Sequence, residues 1–315
     1  MTNLFRLVQN ENMKLYRKRS TLVILLFFLL FLILGGILAR PNFMSSSTND
    51  WKTELTQQNM ELKQERNQPK ENRPPLSQID NQLAENNYRL AHDLSPNGSK
   101  TAAQLAQDMS SFYILAIVFT IMASSSVVSS EFNTGTVKLW LIRPVNRSLL
   151  LLSKYISQLL FLGLLFVAVF VISLLLGLIF YGGTGWNIPF LYVQHAVVHT
   201  QSAFSHLLAI YGLHLIEAIV VMTLSFMLST ITLNAALAAG MTLFLELTKL
   251  IFTELQMTLH WLKYFLFTNL DLTSAVWPTG YSLPISLGFS LTIIVVYYLI
   301  FVTTSWTVFI RRDVK

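Results

Sequence analysis

Ser130-Glu131-Phe132-Asn133-Thr134-Gly135-Thr136-Val137-Lys138-Leu139-Trp140-Leu141-Ile142-Arg143-Pro144-Val145-Asn146-Arg147, with Ser153-Lys154 close behind, separates two long apolar segments. It carries the basic residues Lys138, Arg143, Arg147 and Lys154. If the flanking segments cross a membrane, this stretch is a short polar loop between crossings. Its positive charge then sets it on the cytoplasmic side, and every neighbouring segment takes its orientation from that assignment.

The composition supports the membrane premise. Of 315 residues, 53% are hydrophobic and only 12% charged, against roughly 25% charged in soluble proteins. Several apolar runs reach the length of about 18 residues that marks a transmembrane helix. Working outward from the opening stretch, the runs fall at 22–39, 112–130, 156–180, 207–230, 235–256 and 285–309. The net charge of +6 gathers at the ends predicted to be cytoplasmic, where insertion orientation explains it without nucleic acid. There is no cysteine, which excludes disulfides, thiolate catalysis and cysteine-ligated metals.

Residues 1–20 hold Arg6, Lys14, Arg17, Lys18 and Arg19 against the single Glu11, with Leu4, Leu7, Val8 and Leu15 near helical spacing. The pattern fits either a cytoplasmic interfacial helix or a plain orientation-setting flank. Leu22–Ala39 reads as an uncleaved anchor, because Ile37 would occupy the minus-three cleavage position and Arg40-Pro41 follows. Residues 41–110 change character, with mixed charges, many Asn and Gln, and Pro69, Pro74 and Pro75 in the middle. Sparse apolar stripes on either side of the prolines predict two amphipathic helices folded back on each other outside the membrane, the alternative being a disordered spacer. The expectation is an all-α membrane protein of six transmembrane helices. Both termini are cytoplasmic, an extracellular helical hairpin lies between spans one and two, and a cytoplasmic loop covers 131–154. The connection Tyr181–Ser205 lacks Lys and Arg and faces outside. The segment 257–284 is aromatic and apolar, suited to short helices at the outer interface.

No catalytic motif is found. Gly98-Ser99-Lys100-Thr101 has the wrong spacing for a phosphate-binding loop, and neither a zinc-protease motif nor a nucleophile elbow occurs. His195, His199 and His206 suggest an outer metal site, but no carboxylate partner accompanies them. Charges inside spans cost about 2.5–3.5 kcal/mol each on insertion scales. Glu217 lies three residues after His214, and Glu246 three before Lys249. Counted along their helices, all three charged groups sit roughly 12–16 Å from the outer ends. Lys249 is therefore expected to neutralise Glu217 or Glu246, either as a structural ion pair or as a polar element of a translocation path. Within the opening stretch, Val137, Trp140 and Leu141 make an apolar helical face. Arg143-Pro144 ends that helix, because proline disfavours helical geometry in the residue before it.

The run Glu131-Phe132-x-x-Gly135-Thr136-x-Lys138-x-x-x-x-Arg143-Pro144-x-x-Arg147, followed by Leu152-Ser153-Lys154, resembles the cytoplasmic loop after the second span of ABC-2 type permeases. Glu11-Asn12-x-Lys14-Leu15-x-Arg17-Lys18 and Asn269-Leu270-Asp271-Leu272-Thr273 resemble other parts of the same family. The similarity covers most of the chain outside 45–108, and is greatest to bacterial permeases linked to bacitracin resistance or bacteriocin immunity. It implies a transport subunit of the bacterial plasma membrane, without enzyme activity or a cofactor of its own. ATP would be bound by a separate cytoplasmic ATPase subunit, and a second copy or a homologous permease would complete the membrane part, among membrane lipids. Carried over, Glu131, Gly135, Thr136, Lys138, Arg143, Pro144 and Arg147 become candidate ATPase-coupling residues, with Glu217, Glu246 and Lys249 as intramembrane polar groups. The expected action is export or extraction of a substrate such as a peptide antibiotic or other amphiphile. Rival readings are a non-transporting scaffold or sensor that binds through its hairpin, and an intramembrane enzyme using Glu217 and His214.

Overall fold

Length and apolarity dictate most of the elements. The computed structural model describes residues 4–38, 51–69, 75–95, 101–133, 146–183, 185–194, 196–256, 258–277 and 285–312. Helix α1 (Leu4–Arg17) is amphipathic and meets α2 (Arg19–Leu38) at a bend on Lys18. Helices α3 (Trp51–Arg66) and α4 (Leu76–Ala91) follow. A third pair, α5 (Ala102–Asp108) and α6 (Tyr113–Asn133), is joined through a 3-10 turn at Met109–Phe112. Then come α7 (Arg147–Tyr181), strands β1 (Phe190–Gln194) and β2 (Val197–Gln201), and α8 (Ala203–Thr232). The chain continues with α9 (Ala235–Leu247), α10 (Lys249–Leu255), 3-10 turns at His260–Tyr264 and Leu266–Thr268, α11 (Leu272–Val276) and α12 (Leu287–Arg311).

Among the described residues, five helical segments are long and apolar enough to cross a bilayer: Arg19–Leu38, Ala102–Phe132, Arg147–Tyr181, Ala203–Thr232 and Leu287–Arg311. Their outward faces carry bare hydrocarbon, including Leu26, Phe27 and Leu30 on α2, Val167 and Leu175 on α7, and Val295 and Leu299 on α12. So large an apolar surface is out of place in water and is matched by lipid. The chain is a helical, multi-pass membrane protein.

Helix α8 is the centre, packed against α6, α7, α9, α11 and α12. Its contact with α6 relies on small hydroxyl residues. Ser229 Oγ donates to the Ser125 carbonyl at 2.6 Å, Ser225 Oγ to the Ile121 carbonyl at 3.2 Å, and Ser129 N–H to Ser229 Oγ at 3.3 Å. Small side chains allow the backbones to approach, and a hydroxyl that bonds across leaves no polar group bare in an apolar medium. Gly177 of α7 serves the same end against α5, since a Cβ there would lie 2.8 Å from the Ala102 carbonyl oxygen.

Three details depart from the expectations. The stretch 235–256 is two helices, α9 and α10, meeting at Thr248. The Thr248 hydroxyl bonds the Leu245 carbonyl at 2.8 Å, an internal competition that bends helices. Backbone bonds from Thr248 to Phe244 and from Phe252 to Thr248 still bridge the joint. The connection after α7 contains an antiparallel hairpin, β1–β2, in which Phe190 pairs with Gln201 and Gln194 with Val197, so the fold is not purely helical. Helix also reaches further into 131–154 than a loop would, with Glu131 still in α6 and Arg147 already in α7.

Helices α3 and α4 lie antiparallel to each other. Leu55, Ile79 and Leu83 are buried, the Asn59 amide donates to Asn87 at 3.1 Å and accepts from Asn86 at 3.0 Å, and Arg66 faces Asp80 at 3.5 Å. Helix α4 rests on the β-hairpin, where Ala196 N–H donates to Asn81 Oδ1 at 2.8 Å. The segment 258–277 folds back as short helical turns. Asn269 holds them by donating to the Lys263 and Phe265 carbonyls at 2.7 and 2.8 Å and accepting from Ser290 of α12 at 3.1 Å.

Candidate functional site

Helices α1, α6 and α7 meet at a buried group of four charges. Lys154 on α7 has no exposed surface, and its ammonium lies 2.7 Å from Glu11 Oε2 on α1 and 2.6 Å from Glu131 Oε1 on α6. Lys14, half exposed at the rim, reaches Glu11 at 2.7 Å and Glu131 at 3.2 Å. Among the described residues, two carboxylates balance two ammoniums here. Burial works to raise the Glu11 carboxyl, but the Lys154 charge and hydrogen bonds from Lys14 and Lys154 overcome it and hold it below its ordinary range. Burial likewise works to lower Lys14, while Glu11 and Glu131 hold it above its ordinary value. One helical turn beyond Lys154 on α7, Ser157 donates to Asn12 of α1 at 2.6 Å. The amphipathic helix is thus fastened to both helices that bracket the polar stretch.

The far side of that stretch is tied as well. Arg147, the first residue of α7, donates to the carbonyls of Ile310 and Arg312 at 3.2 and 3.0 Å. Arg312 in turn donates to the carbonyls of Thr230 and Ile231 at 2.7 and 3.1 Å, which serves the otherwise bare C-terminal end of α8. Of the candidate coupling residues, Glu131 and Arg147 are therefore seen. Gly135, Thr136, Lys138, Arg143 and Pro144 lie outside the described residues, as does the short helix expected at Val137–Leu141. Sequence reasoning did not single out Lys154 or Glu11 as an ion pair, because 143 positions separate them and no periodic pattern reports such a contact.

A second charged group lies within the bundle. Lys249, at the start of α10, bonds Glu217 of α8, which is almost wholly buried. The Nδ1 atom of His214 stands 3.5 Å from the other Glu217 oxygen, and Tyr113 of α6 stacks on the imidazole with ring centres 3.6 Å apart. Glu246 does not share the pair directly, and its buried Oε2 atom has no hydrogen-bond partner among the described residues. The bend at Thr248 places Lys249 one residue past the joint.

Of the outer histidines, the two described, His199 and His206, stack on separate aromatic partners. His199 stacks on Tyr192 at 5.1 Å, and His206 stacks on Phe190 at 3.4 Å with Trp277 edge-on at 4.3 Å. His195 lies outside the described residues. Among those residues no three metal-binding side chains come together. His206 also borders a cavity of about 400 Å³ between α4, α5, β1 and α8. At its rim Gly185 takes φ +90° with Thr101 so close that a Cβ would fall 2.1 Å from the Thr101 Cβ.

The sequence is similar along its whole length to a Bacillus subtilis (strain 168) protein named uncharacterized protein YhcI. The two are 34% identical over 315 residues, covering 99% of each chain. A second protein of that organism, the uncharacterized membrane protein YdbK, is 27% identical over 214 residues, covering 65% of this chain and 80% of YdbK. Residues 78–315 match the family described as protein of unknown function DUF2705. That match takes in nearly all of α4, the elements α5 to α12, the Glu217–Lys249 pair, and Glu131 and Lys154 of the four-charge group, and the chain is a multi-pass membrane protein that belongs to the DUF2705 family.

Proposed function

We propose that the chain is the membrane subunit of an ATP-binding cassette transporter, moving or extracting a substrate at the expense of ATP hydrolysed by a separate cytoplasmic subunit. The observation that carries this reading is the Glu11–Lys14–Glu131–Lys154 group. A subunit that receives force at a cytoplasmic loop needs the ends of that loop braced against the transmembrane helices, and this group braces them. The resemblance of Glu131 to Arg147 and of the N-terminal segment to ABC-2 permeases points the same way, since both carry members of the group.

On this reading α9 and α10 together make a further crossing, giving six, with both termini and the 134–145 segment cytoplasmic and α3–α4 outside. The basic residues at α1, at Arg147 and at Arg311-Arg312 support that orientation. Export of an amphiphile, a peptide antibiotic among them, fits the family resemblance.

The test is co-expression with a candidate cassette ATPase. A stable complex is expected, with an ATPase rate that falls on Glu131→Lys or Arg143→Glu. A chain that binds no such ATPase, or a complex indifferent to both reversals, counts against the reading and favours a non-transporting scaffold.

A further inference from the structure

Helix α1 has an apolar face with more to cover than the protein supplies. A groove of about 470 Å³ runs between α1 and α7, walled by Phe5, Val8, Met13, Tyr16 and Leu160, with Arg17 at its end. Phe5 is 72% exposed, Met13 42% and Leu160 49%. Leu160 continues into the hydrocarbon face of α7, which carries Leu164 and Val167. The groove therefore opens onto the same surface that meets lipid tails.

Its other end is basic. Arg17, Lys18 and Arg19 follow one another at the bend between α1 and α2, all exposed. None of their side chains makes a hydrogen bond or ion pair with a described residue, in contrast to Lys14, which is drawn into the buried group. An apolar channel continuous with the membrane face, ending in unpaired cations at interfacial depth, is complementary to one kind of molecule: an acyl chain attached to an anionic head.

We infer that the α1–α7 groove seats an anionic phospholipid, its acyl chain along Val8, Tyr16 and Leu160 and its phosphate at Arg17 and Arg19. The inference stands apart from the transporter reading, since it needs no ATPase. It gives α1 a second anchor beside the ionic one. Because Asn12 both borders the groove and bonds Ser157, a lipid there packs directly against the contact that fastens α1 to α7.

The experiment uses the full chain purified in a neutral detergent, stripped of lipid and titrated with phosphatidylglycerol, phosphatidylcholine or inorganic phosphate. Retained lipid is read by native mass spectrometry and stability by thermal unfolding. Phosphatidylglycerol is expected to bind and raise the unfolding temperature, while phosphatidylcholine and free phosphate leave it unchanged. Arg17→Gln with Arg19→Gln should weaken binding about 30-fold, at roughly 1 kcal/mol for each basic group near the surface. Leu160→Trp, which fills the groove and keeps all charges, should abolish the stabilisation as well. Equal stabilisation by phosphatidylcholine, equal stabilisation by free phosphate, or an undiminished effect in both variants would overturn the assignment.

Discussion

Replacing Lys154 by Met removes the fully buried cation that lies between Glu11 and Glu131, two carboxylates on different helices. Lys154 is fully buried, Glu11 is 7% and Glu131 13% exposed, so neither acid recovers its hydration when the lysine goes. Removing one member of a buried pair typically costs about 3–5 kcal/mol. Lys14 remains within reach of both carboxylates, but it is 57% exposed and its attraction is screened by water. The expected loss therefore sits near the lower bound, about 3 kcal/mol. Unfolding in detergent at neutral pH, followed in Lys154→Met, Glu131→Gln and the double variant, measures it. The double variant should recover at least about 1 kcal/mol relative to the sum of the single changes, as expected for residues in direct contact. Additive losses, or a Lys154→Met cost under about 1 kcal/mol, would refute the view that this lysine holds α1, α6 and α7 together. The pH dependence has a definite sign. A carboxyl whose folded value lies below the ordinary 4.5 contributes stability that is complete above 4.5 and is lost as pH falls through the lower, folded value. Glu11→Gln should accordingly flatten the stability curve on the acid side and leave its neutral-to-alkaline shape unchanged.

Other expectations follow from single contacts. Lys249→Leu strands Glu217 in the bundle and should cut the yield of folded protein, with Glu217→Leu in the same chain restoring much of it; fluorescence-detected size exclusion reads both. Asp271 caps α11 by accepting from Ser274 N–H at 3.2 Å and from Thr273 at 2.6 Å. Asp271→Ala should therefore cost about 1 kcal/mol in thermal unfolding, whereas Asp271→Asn keeps most of the cap. Ser229→Ala breaks the shared contact with Ser125 and Ser129 and should cost about 0.6 kcal/mol, in the range of interhelical hydrogen bonds measured in membranes. The absence of native cysteine makes topology directly readable: an impermeant maleimide added to intact cells should label Gln64→Cys and spare Asn10→Cys, and the reverse pattern would invert the proposed orientation.

Five of the six expected crossings are matched by helices long and apolar enough to span a bilayer among the described residues, and they were legible because their apolar runs reach about 18 residues or more; an insertion of mixed charge such as 41–110 stands out against them. The bend at Thr248 was hidden, since a hydroxyl turned onto the Leu245 carbonyl leaves the run of apolar residues unbroken. The β-hairpin was legible in principle: Phe-Leu-Tyr-Val-Gln and Val-Val-His-Thr-Gln are rich in aromatic and β-branched residues. The glycines and missing basic residues of Tyr181–Ser205 drew attention to topology instead. The pairing of Lys249 with Glu217 was within reach because a tight turn joins their helices. The pairing of Lys154 with Glu11 was not, because only the packing of α1 on α7 brings them together. Asn269 and Asp271, noted for family resemblance, prove to hold local geometry, one as a staple to α12 and the other as a helix cap.

Helix α7 spans 35 residues without a proline, a rod of about 52 Å that outruns the hydrocarbon layer of about 30 Å. Lys154 grips it near one end. At the other, Gly182 with φ +65° closes the helix just before Gly185 and the rim of the cavity that His206 borders. Sharp kinks arise at prolines, bulges or inserted groups, and α7 is one uninterrupted α-helix over these residues. On the proposed transporter reading, a tilt imposed at the charged end would be carried along this shaft, with α7 as a lever whose short arm is ionic and whose long arm ends at the far end of the helix.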